Sequence, residues 1–190
     1  MNNQIKSKKR VSDFGEVFTN QREVKAMCDL VKDETEKIDS RFLEPACGEG
    51  VFLIDILIRK LKSIKNNWII NSLIAISNIY GIDIMQDNCE ICRKNLYKIW
   101  FDEYKNKFEN QNEKLKDFVK FILSKNIICG NTLSTYCVDE NQKETQELIC
   151  FSDWKFINNY VYRKEFALKN LLNEQQEFIN DKIFAYKLEL

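Results

Sequence analysis

The sequence predicts an α/β protein built on a doubly wound, mostly parallel sheet, and three stretches predict it. Arg41-Phe42-Leu43-Glu44-Pro45-Ala46-Cys47-Gly48-Glu49-Gly50 is an apolar run that stops at small residues. Val51-Phe52-Leu53-Ile54 then opens an amphipathic pattern, which makes a strand, a tight turn and a helix. Ile79-Tyr80-Gly81-Ile82-Asp83-Ile84 reads as a second strand closing on an acid, and Asn126-Ile127-Ile128-Cys129-Gly130-Asn131-Thr132-Leu133 as a third strand and turn. Helical periods fill the intervals, so the strands are joined by crossovers and amount to the first half of such a sheet.

Composition sets the outer bounds. With 190 residues, 44% hydrophobic, and only five Gly and one Pro, the chain can bury one sizeable core and has few loop formers to spare. Lys+Arg and Asp+Glu both number 29, so attraction to phosphate must come from local clusters or from another chain. No apolar run is long enough to cross a bilayer and no signal-peptide core stands near the start, so a cytoplasmic protein without membrane contact is expected. The seven cysteines are an odd set, and Cys28, Cys129 and Cys150 sit in apolar patterns, which favours buried reduced thiols over a disulfide framework. Cys89-Glu-Ile-Cys92 has the spacing of half a zinc site or a redox pair. With no histidine and no second Cys-x-x-Cys, no metal centre is expected and the two read as packing residues.

Residues 1–10, polar and carrying Lys6, Lys8, Lys9 and Arg10, read as a mobile basic arm. Val24, Met27, Cys28, Leu30 and Val31 share one face of a helix that Thr19 or Asn20 can cap. After a charged break at 32–40 comes the glycine turn. Gly48 and Gly50 can take angles closed to other residues and leave no side chain in the way, so a ligand can lie on the main chain where the helix begins; Pro45 stiffens the approach. Trp68–Ile79 is apolar on most faces and reads as a short buried helix, although its β-branched content also allows a strand. It lengthens the crossover beyond the ~20 residues of a minimal nucleotide-binding unit. At the end of the second strand the Asp83 carboxylate is placed either to accept from the two ribose hydroxyls of an adenosine ligand or simply to cap a helix.

Gln86–Phe108 is a long amphipathic segment with Cys89, Cys92, Leu96, Ile99, Trp100 and Tyr104 near one stripe; a polar stretch ends it. Leu115, Phe118, Val119, Ile122 and Leu123 repeat the helical period before the third strand. Beyond it, Leu148–Trp154 looks like a strand paired with Tyr160–Arg163. Phe166–Leu172, continued by Gln175–Leu190, reads as a helical tail that folds back or docks on a partner. The domain reading is therefore an arm at 1–10, a ligand-binding domain at 11–147 and a C-terminal extension at 148–190.

Glu44-Pro-Ala-Cys-Gly-Glu-Gly-Val-Phe-Leu53 resembles the first motif of the adenine-N6 DNA methyltransferases of restriction-modification systems, in which this turn holds S-adenosylmethionine. Gly15-Glu-Val-Phe-Thr19 is similar to the motif that precedes the first strand there, and Gly130-Asn-Thr-Leu133 to the third motif. The likeness covers about residues 11–133. It implies a Rossmann-like class I methyltransferase fold with gamma-type motif order and S-adenosylmethionine as cofactor. It also implies roles. Phe18 and Thr19 would border the methionine end and Glu44 would hold its amino group, while Pro45, Ala46, Cys47, Gly48, Gly50 and Phe52 would form the turn and helix start. Asp83 would take the ribose, Ile84 would pack on the adenine, and Asn131 would accept from its exocyclic amine, with Thr132 and Leu133 completing that part of the cofactor site. Two positions depart from the pattern: Asn20 stands where proline is usual and Asn131 where aspartate is usual. An amide oxygen can still accept the adenine hydrogen bond, but without charge.

The family's fourth motif, Asn/Asp/Ser-Pro-Pro-Tyr/Phe, accepts hydrogen bonds from the flipped target amine and stacks on its ring. With Pro45 as its sole proline the sequence cannot contain it, and no catalytic residue is assigned. The expected arrangement is a split or truncated enzyme. A second polypeptide, or a segment downstream, would bring that motif and the target-recognition domain, and double-stranded DNA would be met through the complex. The reaction would be direct displacement at the sulfonium methyl by the extruded adenine amine. The alternative is a stand-alone S-adenosylmethionine-binding regulatory or interaction module, or a small-molecule methyltransferase.

Overall fold

A computed structural model of the chain describes residues 10, 12, 19–158, 160–173 and 184–187. Helix α1 (Gln21–Leu30) starts at Asn20, whose side-chain oxygen accepts from the Arg22 N–H at 2.9 Å, and it buries Val24 and Cys28. A short α2 (Lys32–Thr35) leads to β1 (Phe42–Glu44) and then α3 (Val51–Ser63). The ambiguous apolar stretch is helix α4 (Trp68–Ser77). Within it Ser72 and Ser77 return their hydroxyls to the Ile69 and Ile74 carbonyls, while the Trp68 indole N–H at its start is buried without a hydrogen-bond partner. Strand β2 (Ile79–Asp83), α5 (Gln86–Lys107), α6 (Glu113–Asn126) and β3 (Ile127–Asn131) follow.

The chain after Asn131 does not make another crossover. Thr135, at φ +68°, donates its N–H to the Asn131 carbonyl at 2.8 Å, and the chain reverses into β4 (Tyr136–Val138) and then β5 (Glu144–Leu148). Four residues between strands are too few for a helix to intervene, so the new pairings are antiparallel. The sheet order is β1-β2-β3-β4-β5, with β1–β2 and β2–β3 parallel and β3–β4 and β4–β5 antiparallel. The architecture is thus mixed α/β. The mostly parallel sheet read from the sequence is corrected to a mixed one, parallel over its first three strands.

Alternation along β2 sends its residues to two different layers. Ile79 joins the core formed by the helices, where Trp100 of α5 donates its indole N–H to Ser72 Oγ at 3.0 Å and stacks on Tyr104. Tyr80 and Ile82 face the other way, onto Ile149, Phe151 and Leu168. That second layer is built by β6 (Cys150–Ile157), β7 (Tyr160–Ala167) and the short helix α7 (Leu168–Leu172). Tyr80 donates its hydroxyl to the Ser152 carbonyl at 2.9 Å and meets the Phe151 ring edge-on. A β-hairpin therefore covers the face that a doubly wound fold would give to helices. Of the helical tail, Leu168–Leu172 is indeed helix, but Phe166 and Ala167 end β7 and β8 (Phe184–Lys187) pairs antiparallel with it; 174–183 and 188–190 lie outside the described residues. The alternation Phe-Ala-Tyr-Lys suits a strand. Asn126, read as the start of the third strand, instead ends α6. Buried, it donates to the Ser77 and Ile79 carbonyls and accepts from the Trp154 indole at 3.0 Å, tying the helices to the hairpin.

Among the described residues no helix is long and apolar enough to cross a membrane. All seven cysteines are free thiols.

Lys60 of α3 is fully buried, and its ammonium donates to the Lys37, Ile38 and Ser40 carbonyls, fixing the turn that feeds β1. Burial lowers its pKa to about 8, against the upward pull of Asp39 and Glu34. Below pH 8 the folded and unfolded chains both hold this proton; between about 8 and 10.4 only the unfolded chain does, so stability rises with pH across that window. Urea unfolding of the wild type at pH 7.5 and 9.5, referenced to Lys60→Met at the same two pH values, is expected to show a relative gain on the order of 2 kcal/mol.

Candidate functional site

The turn between β1 and α3 has two left-handed glycines, Gly48 at φ +52° and Gly50 at φ +89°. They serve different ends. A Cβ on Gly50 would stand 2.6 Å from the Cys92 thiol of α5, so this glycine lets the turn close onto the neighbouring helix. A Cβ on Gly48 would meet nothing within 4 Å: that side of the main chain is open. Gly50 is also the N-cap of α3 and provides no capping side chain, so the helix presents bare N–H groups at its start.

The ends of three parallel strands are bonded to one another at this turn. Asp83, closing β2, accepts the Gly48 N–H at 2.9 Å through one carboxylate oxygen; its other oxygen accepts from the Met85 N–H at 2.8 Å and the Asn88 amide at 3.2 Å. The Cys47 N–H donates to the Ile82 carbonyl at 2.8 Å. From the end of β3, Thr132 donates its hydroxyl to the Pro45 carbonyl at 2.6 Å. Asn131 accepts the Leu133 N–H at 3.0 Å and donates its amide N–H to Glu144 of β5 at 2.7 Å. Leu133 is 95% exposed beside it. A carboxylate, an amide and an open main chain thus stand at the carboxyl ends of the strands, the edge at which open α/β sheets bind ligands in a crevice.

Glu44 ends β1 on the other side of the turn. It lines a groove of about 350 Å³ between α1, β1 and α3, with Met27, Val31, Phe42, Phe52 and Ile56. Burial holds its pKa above the ordinary carboxylate value, opposed by the Ala46 N–H at 3.4 Å.

Beneath the turn the Cys47, Cys89, Cys92 and Cys129 thiols touch in a chain. The bond from Cys89 draws the Cys47 pKa down, but the bond to Cys92 and burial outweigh it and leave the thiol well above its usual value. Contact with Cys89 and burial likewise raise Cys129. Cys47, Cys89 and Cys129 are therefore neutral packing groups rather than thiolates, and no group of three or more Cys, Asp or Glu that could hold a metal ion is found among the described residues.

Of the residues predicted from sequence, Gly48 is bonded to Asp83, Thr132 to Pro45 and Asn131 to Leu133, and Cys47 to Ile82, with Ala46, Gly50 and Ile84 adjoining in the chain. Cys47 takes part through its backbone, because its side chain is buried against Gly81. Glu44 and Phe52 share the groove on the far side of β1. Thr19 is exposed just before the α1 cap, and Phe18 lies outside the described residues. Of the basic arm only Arg10 is described, and it pairs with Asp87 in the first turn of α5 at 2.6 Å. Sequence reasoning missed Asn88 and Glu144. The first was readable as an amide in the first turn after Asp83; the second depends on the reversal after Asn131, which no helical or strand period announces.

Comparison with known families gives this crevice a context. The family model described as MmeI, DNA-methyltransferase domain, matches residues 4–170, and the chain belongs to that family. No curated protein and no solved structure matches the chain.

The two glycines separate in thermal or urea unfolding. Gly48→Ala is expected to cost ~1 kcal/mol, the left-handed backbone penalty alone. Gly50→Ala is expected to cost ~2–4 kcal/mol, and combining it with Cys92→Ala should recover part of the loss as a favourable coupling. Equal costs at the two positions would contradict the division of labour.

Proposed function

Starting from membership of this methyltransferase-domain family, we propose that the chain is the S-adenosylmethionine-binding part of a DNA adenine-N6 methyltransferase. Its acceptor motif would come from a partner chain or a further segment. The observation that carries the reading is the Asp83 carboxylate bonded to the Gly48 N–H at 2.9 Å, in a glycine turn whose main chain is otherwise open.

The residues fit the cofactor in kind. Gly48 leaves the main chain open to a flat nucleoside, and Asp83 lies at the strand end where a carboxylate accepts from vicinal ribose hydroxyls. Glu44, half-buried and held by one long hydrogen bond, is an acceptor for an ammonium group. The Asn131 oxygen would take the exocyclic amine of the adenine, and Ile84 and Leu133 would flank the ring. When bound, S-adenosylmethionine supplies an electrophilic methyl group on a sulfonium. The chain's own work is to bind and orient it, with Met85, Asn88 and Gly48 holding the Asp83 carboxylate in place.

On this reading β1, β2 and β3 are the first half of a Rossmann-like sheet. A partner strand would extend it at β1, which pairs with β2 alone among the described residues. The sole proline, Pro45, keeps the Asn-Pro-Pro-Tyr motif off this chain, so target-base recognition belongs to the other part.

Calorimetry with S-adenosylhomocysteine is expected to show binding that Asp83→Ala weakens at least tenfold. Because Glu44 must be ionised to hold an ammonium and its pKa is raised, affinity for S-adenosylmethionine should climb with pH above the ordinary carboxylate range, and Glu44→Gln should flatten that climb. Labelled-methyl transfer to DNA should appear only when a polypeptide carrying the fourth motif is added; transfer by the chain alone would contradict the divided arrangement.

A further inference from the structure

Asn131 ends β3 at the crevice, and its side chain is held from both ends. The amide nitrogen donates to Glu144 Oε1 at 2.7 Å, and the amide oxygen accepts the Leu133 N–H at 3.0 Å. A carboxamide has one accepting and one donating end of nearly the same shape, so its orientation is decided only by its neighbours. An ionised carboxylate accepts and never donates, so Glu144 can take only the nitrogen end; the Leu133 N–H can take only the oxygen end. The two contacts select the same rotamer. The oxygen keeps a second lone pair, while the donor nearest Glu144 is already used.

We propose that Glu144, delivered by β5, is a positioning residue. It fixes the Asn131 amide so that an acceptor faces the purine of a bound nucleoside, and it thereby sets a preference for a 6-amino over a 6-oxo purine. The inference rests on the S-adenosylmethionine reading of the crevice. An aspartate at position 131 would offer acceptors at both oxygens and would need no such help. With asparagine there, the carboxylate of the neighbouring strand engages one of the two amide N–H groups and so holds the nitrogen end, which could otherwise turn toward a 6-oxo group. The reversal after Asn131 brings Glu144 into place: β4 folds back on β3, and β5 on β4 with Val138 opposite Glu144. Glu144 is exposed and outside the core, so its replacement leaves the fold intact.

The test is the affinity of the full chain for S-adenosylhomocysteine and for S-inosylhomocysteine, which has a 6-oxo group in place of the amine. The wild type should prefer the first by about tenfold or more, since the inosyl compound sets acceptor against acceptor. Glu144→Ala should bring the preference down to about threefold or less, largely by tighter binding of the inosyl compound, because the freed amide can turn its nitrogen inward. Glu144→Gln, whose side-chain oxygen can still accept, should keep most of the preference. In an Asn131→Asp background Glu144→Ala should no longer lower it. A wild-type preference that survives Glu144→Ala overturns the inference while leaving the cofactor reading standing. A wild type that binds neither compound overturns the cofactor reading and the inference with it.

Discussion

The hydrogen bond from the Gly48 N–H to the Asp83 carboxylate joins the turn after one parallel strand to the end of the next, and the arrangement of the candidate site is built on it. Both partners are specialised for it. Gly48 reaches the geometry through a left-handed backbone angle that a side chain would resist, and Asp83 is kept pointing at the turn by two further donors from the start of α5. Such an arrangement is preorganised: the acceptor is oriented before a ligand arrives, so binding need not reorder it. Thr132 adds the third strand by reaching the Pro45 carbonyl. Three short strands, two of them five residues long and one three, thereby present one rigid edge.

What lies under that edge explains how so small a sheet holds its shape. The turn rests on α5 through Gly50 and Cys92, close enough that even a methyl group would not fit. Neutral thiols suit the position, being small, polarisable and content without strong partners. On the opposite face the hairpin of β6 and β7, with Leu168 of α7, seals Tyr80 and Ile82, so β2 is covered on both sides although the long helices supply only one of them. Lys60 and Asn126 are the polar fasteners of this assembly, each buried and each donating to backbone carbonyls of other segments.

Much of this was legible in the sequence, for a physical reason. Where a local pattern and the tertiary environment make the same demand, the text states it: the glycine turn, the acid closing the second strand, the long helix carrying Trp100 and the hairpin around 154–162 all follow from period and turn chemistry. The failures fall where geometry depends on a distant partner. The reversal at Thr132–Thr135 turns on one left-handed threonine, a conformation that residue type does not advertise, and with it came β4, β5 and Glu144. The strand at 184–187 forms because β7 offers an edge, and a four-residue alternation is too short to read against the helical period before it. Asn131 was recognised as a departure from the pattern, but its compensating neighbour was invisible until the sheet brought β5 alongside.

Whether three strand ends and one glycine turn form a single adenosine site is decided by a crystal structure of the chain grown with S-adenosylhomocysteine. The expected density puts the ribose hydroxyls on the Asp83 carboxylate, the ligand along the Gly48 main chain and the adenine amine on the Asn131 oxygen. Ligand density elsewhere on the molecule, or a crevice that stays empty at saturating concentration, would contradict it.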